Sequence, residues 1–482
     1  MGGRALGADV VLINPPRLKG VTRRPSYTSE PHLGLAYVTS VLERDGFSVR
    51  FLDGDATGLP VEELARTVER ENPLFVGFTA PTALVKSAAA VAGAIKQMNP
   101  NRTTVIGGYH ATALPEETLA EFAAFDFAVC GEGEVAALEF ARSCAEGNGF
   151  EKIRGLARRD NGDIKYSGSA PPVRDLDSLP FPAWERFPLA GYRAHYRFDR
   201  AVLEIPVSTG RGCAGRCRFC ARVTGHKIRR RDADSIVEEI RRNVDDFGAE
   251  AIVFMDETFA AIPELVEQVC RKLIDRGLHR RIYWLCQTRV DSVNAPLLRL
   301  MAEAGCRHVA FGVESGDTEI LSTSGKGIGR ERIRQAVRDA SDAGILVDNF
   351  FVFGLAGETR RSIRQTVKFA RELDSAFANF FILVPYPGTE LFDAARRGEG
   401  GMRLLTCDWD YYGIQMGRAY ELEGLPRSVL EREQFLAYLR FYLRPSKIRY
   451  MFRIVSLKVL PVYLWNMTTS WLRRVATGKR AA

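Results

Sequence analysis

Apolar runs of strand length alternate with amphipathic stretches along residues 1–145. Val10-Val-Leu-Ile-Asn-Pro-Pro16 is an apolar run stopped by prolines, as a buried parallel strand and its following turn require. Leu33, Leu35, Tyr37, Val38, Val41 and Leu42 then recur at helical spacing, and Asp45-Gly46 supplies a C-terminal stop. Further strands are predicted over 48–52, 74–79, 104–108 and 127–131, with helices over 61–69, 84–98 and 115–122. This alternation predicts a doubly wound, Rossmann-like parallel sheet. Ligands of such sheets sit at the carboxyl ends of the strands, where Asn14, Thr79, Gly107, Gly108 and Glu132 gather.

From 146 to 198 the periodicity weakens. Gly147, Asn148, Gly149 and Asn161-Gly162 mark turns, and Pro171, Pro172, Pro180, Pro182 and Pro188 deny a long helix. The stretch reads as a proline-stiffened interdomain linker. Strand–helix alternation resumes over 199–425, with strands predicted at 203–208, 251–255, 282–286, 308–312, 348–353 and 379–384. Larger repeats of this kind make a partial or full α/β barrel, whose active-site loops follow the strands. Residues 426–482 read as a helical extension, with Leu430, Phe435, Leu436, Leu439, Tyr442 and Leu443 on one face.

Composition narrows this α/β picture. A chain of 482 residues is too long for one ordinary core. Nine cysteines, an odd number with a single tight cluster, form no secreted disulfide framework and read as a cytoplasmic chain. The N-terminus lacks the apolar core of a signal peptide. The net charge of +8 belongs to the tail, because no acidic residue follows Glu433 while ten lysines and arginines do. Lys458 and Pro461 interrupt the tail's apolar run, so a membrane span is not expected. Its tryptophans and cationic rim fit either peripheral contact with the inner face of a membrane or a helical lid on the barrel. No nucleic-acid module is visible.

The chemistry gathers in Cys213-Ala-Gly-Arg-Cys217-Arg-Phe-Cys220, entered through Ser208-Thr-Gly-Arg-Gly212. Three thiols at this spacing can reach one metal centre. A mononuclear zinc site normally takes four ligands. Three cysteines suit a [4Fe-4S] cluster whose fourth iron stays open for a ligand. Charged residues end the following strands: Asp256-Glu257, Thr288-Arg289-Val-Asp291, Glu314-Ser-Gly316 and Gly354-Leu-Ala-Gly-Glu358. Carboxylates there can receive an ammonium, and an arginine fork can hold a carboxylate.

In the C-x3-C-x-aromatic-C loop and the order of these pieces, residues 199–425 resemble the radical S-adenosylmethionine (SAM) enzymes. The resemblance implies that Cys213, Cys217 and Cys220 hold the cluster and that SAM binds its open iron. Asp256, Glu257, Arg289, Glu314 and Gly354 are the expected SAM residues. Asn14-Pro-Pro16, Pro31-His-Leu-Gly-Leu-Ala-Tyr37, Gly77-Phe-Thr79, Gly107-Gly108 and Gly131-Glu-Gly133 resemble the cobalamin-binding domain found ahead of many such cores. A cobalt-ligating histidine would follow the first strand, and none does. Asp53-Gly-Asp-Ala-Thr-Gly58 imitates that motif after the second strand, with Asp55 in the histidine's place, and reads as a turn. Together the resemblances imply a cobalamin-dependent radical SAM enzyme, foremost a methyltransferase acting on an unactivated carbon of a small, lipid-like or polar substrate. A cyclase, oxidase or rearrangement enzyme with the same cofactors, and a non-catalytic iron–sulfur or metal-sensing protein, are the alternatives. An electron donor of the flavodoxin or ferredoxin kind is the implied partner.

Overall fold

The computed structural model describes residues 7–17, 30–194, 202–413 and 417–448. The first sheet contains β1 (Val10–Asn14), β2 (Val49–Asp53), β3 (Phe75–Thr79), β4 (Thr104–Gly107), β5 (Phe127–Val129), β6 (Leu156–Asp160) and β7 (Asp163–Tyr166), in the order β2-β1-β3-β4-β5-β6-β7. The first five strands are parallel. Their apolar runs are buried on both faces, because helices cover each side of the sheet.

The antiparallel strands β6 and β7 fall where the sequence predicted only linker. Asn161 and Gly162 both take positive φ (51° and 94°), as a two-residue hairpin turn requires. Only Leu156 and Ala157 of β6 are buried, and charged residues follow them, so the strand left almost no apolar signal. The rest of the segment also packs on the first domain. Ala183 N donates to Ala36 O (3.2 Å), Trp184 is fully buried, and Phe187 stacks on Phe51. Residues 53–58 are not a bare turn either. Asp53 caps a single helical turn, Gly54–Thr57, by accepting from Ala56 N at 2.8 Å. Its carboxylate also receives Asn14 Nδ2 (2.9 Å) and the hydroxyl of Tyr192.

The second sheet is an open partial barrel of six parallel strands. It comprises β8 (Glu204–Val207), β11 (Ala251–Phe254), β12 (Tyr283–Thr288), β13 (Cys306–Glu314), β14 (Leu346–Phe353) and β15 (Phe377–Ile382), in the order β15-β14-β13-β12-β11-β8. Between β8 and β11 the short strands β9 (Gly210–Arg211) and β10 (Arg229–Arg230) pair antiparallel. The edge strand β15 is covered by the helix Arg427–Tyr442. Phe380 N donates to Tyr438 Oη (3.2 Å), Ala378 N to Tyr442 Oη (3.0 Å), and Gln434 Nε2 to Phe380 O (2.6 Å). These three residues lie four apart, on one helical stripe. The buried face therefore runs through Leu430, Gln434, Ala437 and Phe441; of the predicted set only Leu430 is fully buried, and Leu443 is 65% exposed. Unpaired edge groups attract polar side chains, so the apolar pattern misplaced the face. The basic tail predicted beyond 448 lies outside the described residues. Among those described, no helix is long and apolar enough to cross a membrane.

Candidate active site between two parallel sheets

Pairing of β9 with β10 closes residues 212–228 into a loop. A β-carbon on Gly210 would stand 2.6 Å from Arg229 O, and one on Gly212 (φ +99°) 2.3 Å from Lys227 O, so glycine is required at both positions. Cys213 N donates to Gly225 O (3.1 Å), Cys220 N to Cys217 O (3.2 Å) and Arg218 N to Ser324 O (3.1 Å). The three thiols are free and half-buried. A β-carbon on Gly215 would lie 3.3 Å from Cys213 Sγ, 3.9 Å from Cys217 Sγ and 3.3 Å from Arg289 Nη1. Two of the three sulfurs, those of Cys213 and Cys217, thus approach one position kept bare. Soft thiolate donors in this arrangement fit the three-cysteine cluster. Burial pushes the Cys217 thiol up, while Lys326 and Arg289 favour its thiolate.

The expected SAM residues are distributed differently. Asp256 is buried and accepts from Thr209 N (3.0 Å), Gly210 N (2.7 Å) and Thr209 Oγ1 (2.8 Å). Burial raises its pKa to about 7, against the pull of those hydrogen bonds. Glu257 accepts from Gly212 N (3.2 Å) and from the Thr224 hydroxyl. Both brace the entry to the cysteine loop. The cause is register: β11 is the neighbour of β8, so its end lies beside that entry. Arg289 pairs with Asp291 (2.8 Å), donates to Lys326 O (2.8 Å) and turns its remaining nitrogen toward Gly215. Glu314, held at φ +65°, accepts from the buried ammonium of Lys326. Arg289, Glu314 and Lys326 therefore gather beside the thiols. Gly354 does not join them: a β-carbon there would meet Tyr420 (3.3 Å) and Leu430 (3.5 Å), and its carbonyl accepts from Tyr420 Oη (2.8 Å).

In the first domain, Asn14 is tied to Asp53, and Thr79 is buried beside Gly108. At φ +91°, Gly108 lets the loop after β4 close on β3, since a β-carbon would stand 2.8 Å from Thr79 Oγ1. Gly107 has its nearest such contact at 3.6 Å. Glu132 is not turned toward an open corrin face. Its carboxylate receives Arg211, Arg229 and Val173 N. His110 is buried, with Nδ1 at 3.3 Å from Thr82 Oγ1 and its ring edge-on to Trp409, and burial lowers its pKa to about 4. Tyr109 donates to Pro387 O (2.7 Å), edge-on to Tyr386. Among the described residues, two buried polar atoms at this interdomain face, His110 Nε2 and Tyr386 Oη, have no hydrogen-bond partner. Orphaned groups between glycine-lined loops fit a large polar ligand such as a corrin.

Missing from the sequence reading were the roles of Arg211 and Arg229, along with the apolar face of the barrel. The arginines crowd around the cysteine loop, a signal easily taken for solvated charge. Toward the carboxyl ends of the strands, Met255 is 51% exposed, while Phe350, Val352 and Phe381 are half-buried and Phe350 meets Phe381 edge-on. The alternate residues Phe351 and Phe353 are buried on the opposite face, and Phe380, stacked on Phe351, meets the helix Arg427–Tyr442.

A doubly wound sheet whose loops meet a three-thiol loop on a parallel partial barrel defines a two-cofactor radical enzyme. Residues 207–370 match the Radical SAM superfamily and residues 21–141 the B12 binding domain. Over 439 residues the chain is 32% identical to an uncharacterised methyltransferase of Pyrococcus horikoshii, covering 91% of this chain and 93% of that protein. It is 26% identical over 433 residues to the anaerobic magnesium-protoporphyrin IX monomethyl ester cyclase of Cereibacter sphaeroides, covering 88% and 69%. The radical S-adenosylmethionine methyltransferase TsrM from Kitasatospora setae, solved with cobalamin and a [4Fe-4S] cluster, shares the fold, with a TM-score of 0.72 at 19% identity over 92% of this chain and 90% of that one. The chain belongs to the radical SAM superfamily, in the group that carries a B12 binding domain. SAM and a [4Fe-4S] cluster go with its barrel, and cobalamin with its first sheet.

Proposed function

We propose that the protein methylates an unactivated carbon of a small, largely apolar substrate. When bound, SAM and the cluster supply a 5′-deoxyadenosyl radical and cobalamin supplies the methyl group. The chain's own part is to hold and orient. Cys213, Cys217 and Cys220 would hold the cluster, and Arg289, Glu314 and Lys326 supply the charges nearest to it. Asp256 and Glu257 brace the loop. Asn14, Thr79, Gly107 and Gly108 belong to the corrin side. The observation that carries the reading is the three-thiol loop meeting the loops of the B12 binding domain. Met255, exposed where β11 ends, and the half-buried Phe350 and Phe381 favour an apolar substrate such as a lipid or an unsaturated ring system.

The test is anaerobic reconstitution with iron, sulfide, cobalamin and methyl-labelled SAM, with dithionite in place of the flavodoxin- or ferredoxin-like donor. Methylation yields 5′-deoxyadenosine together with S-adenosylhomocysteine, and Cys217→Ala abolishes the former. Deoxyadenosine without S-adenosylhomocysteine or labelled product would overturn the methylation reading and leave the cyclase reading, which the relationship to the Cereibacter enzyme supports. Membrane contact through the basic tail is tested by liposome flotation. Unchanged binding after removal of residues 449–482 would dismiss it.

A further inference from the structure

The cysteine loop is fastened to the first domain by charges withdrawn from water. Glu132 follows β5, between Gly131 (φ +100°) and Gly133, where the helix Gly133–Glu146 begins. Its carboxylate receives Arg211 Nη1 (3.1 Å), Arg229 Nη1 (3.0 Å), Arg229 Nη2 and Val173 N (2.9 Å). Arg211 Nη2 reaches Glu134 Oε1 at 2.5 Å. Arg229 also donates to Val173 O (2.6 Å) and Thr224 O (2.9 Å). Side-chain exposure is 7% for Glu132, 7% for Arg229, 13% for Arg211 and 4% for Glu134. Three segments meet in this one knot: the loop after β5, the crossing segment, and the two strands bracketing the cysteines. Arg211 stands two residues before Cys213.

We propose that Glu132, Arg211 and Arg229 are positioning residues that set the placement of the cysteine loop relative to the corrin-side loops. The inference rests on the two-cofactor reading, because the spacing matters only if a radical formed at one cofactor must meet a methyl group on the other. Planar guanidinium forks dictate direction as well as distance, which a lysine ammonium cannot do. Burial keeps these bonds from being exchanged for water, and breaking one partner strands the others. The contrasting contact is Lys86 with Asp408 and Asp410. It also joins the two domains, but its side chains are 38%, 39% and 52% exposed. Exposed pairs of that kind hold geometry weakly.

The test compares Glu132→Gln, Arg229→Lys and Lys86→Met in the full-length holoprotein. Iron and cobalt are counted first. Pulsed EPR then gives the distance distribution between cob(II)alamin and the reduced cluster, and hydrogen exchange follows the amides of 212–225 in the apoprotein. Arg229→Lys and Glu132→Gln are expected to retain both metals, shift or broaden the distance distribution, and speed exchange in the loop. Lys86→Met should do neither. A wild-type distribution with unchanged exchange in both clamp variants overturns the proposal. Loss of a metal in either variant, with loop exchange no faster than in Lys86→Met, overturns it as well, since the residues would then be general supports. Failure of wild-type protein to take up cobalamin strikes at the two-cofactor reading instead, and the apoprotein exchange then decides the clamp alone.

Discussion

Two glycines at the cysteine loop share one backbone region but differ in surroundings. Gly212 has φ +99° and a β-carbon there would stand 2.3 Å from Lys227 O; Gly225 has φ +90° and nothing within 4 Å. A left-handed φ costs an L-residue ~1–2 kcal/mol. That is all Gly225→Ala should incur. In Gly212→Ala the obstacle is a backbone oxygen, which cannot rotate away, so β9 and β10 must part. The bonds Gly212 N to Thr224 Oγ1 (2.8 Å) and Cys213 N to Gly225 O (3.1 Å) are then at risk. Each of the two bonds, if lost, costs roughly 1–3 kcal/mol, for a total of about 3–8 kcal/mol with the left-handed φ included. Since every ~1.4 kcal/mol is tenfold in an equilibrium, amide exchange across 210–230 should quicken by about tenfold in Gly225→Ala. In Gly212→Ala the same amides should quicken by at least about a hundredfold. Iron bound per chain after reconstitution should fall only in Gly212→Ala, because Cys213 rides on the displaced strand. Equal exchange and equal iron in the two variants would refute the loop geometry and the argument built on it.

The helix over the barrel edge yields a second expectation. Tyr442→Phe and Gln434→Leu each strip a partner from β15 and should lower stability by ~1–3 kcal/mol in urea unfolding, whereas Leu443→Ala, at an exposed position, should be near neutral. Glu358 sets a pH dependence. Burial raises its carboxyl from the ordinary 4.5 to about 8, so its contribution is complete below pH 4.5 and is lost as pH climbs through 8. Apoprotein stability should therefore fall by on the order of 2 kcal/mol between pH 6.5 and 8, and Glu358→Gln should flatten that decline. Asp53→Ala releases Asn14, Tyr192 and the capped turn together, and limited proteolysis should then cut the crossing segment near Tyr192 faster than in the parent.

The parts legible in the sequence were those decided locally. Strands β1 to β5 announce themselves as apolar runs because both faces of a parallel sheet are covered. The cysteine loop announces itself because three ligands within eight residues need no long-range partner. Legibility failed where a distant neighbour decides the outcome. Leu156-Ala-Arg-Arg-Asp160 is too short and too charged to read as a strand until the edge of β5 is there to receive it. The stripe Gln434, Tyr438, Tyr442 holds only Tyr442 of the predicted apolar face, and it meets β15 because that edge has amides and carbonyls to satisfy.

The same cause explains why chemistry and position were confused at the strand ends. Asp256 and Glu257 carry the charge expected for binding an ammonium, and nothing in their spacing separates a ligand contact from a brace. Register adds what spacing lacks. β11 lies against β8, so whatever ends β11 sits at the root of the cysteine loop, while β12 and β13 end farther round the sheet. Arg289 and Glu314, with Lys326, lie there beside the thiols. In a sheet of known strand order, then, the neighbour of the loop-bearing strand should be read first as support. Ligand contacts should be sought one and two strands further on. The arginines of β9 and β10 extend the rule, since they support the loop from its other flank and take their counter-charges from a different sheet.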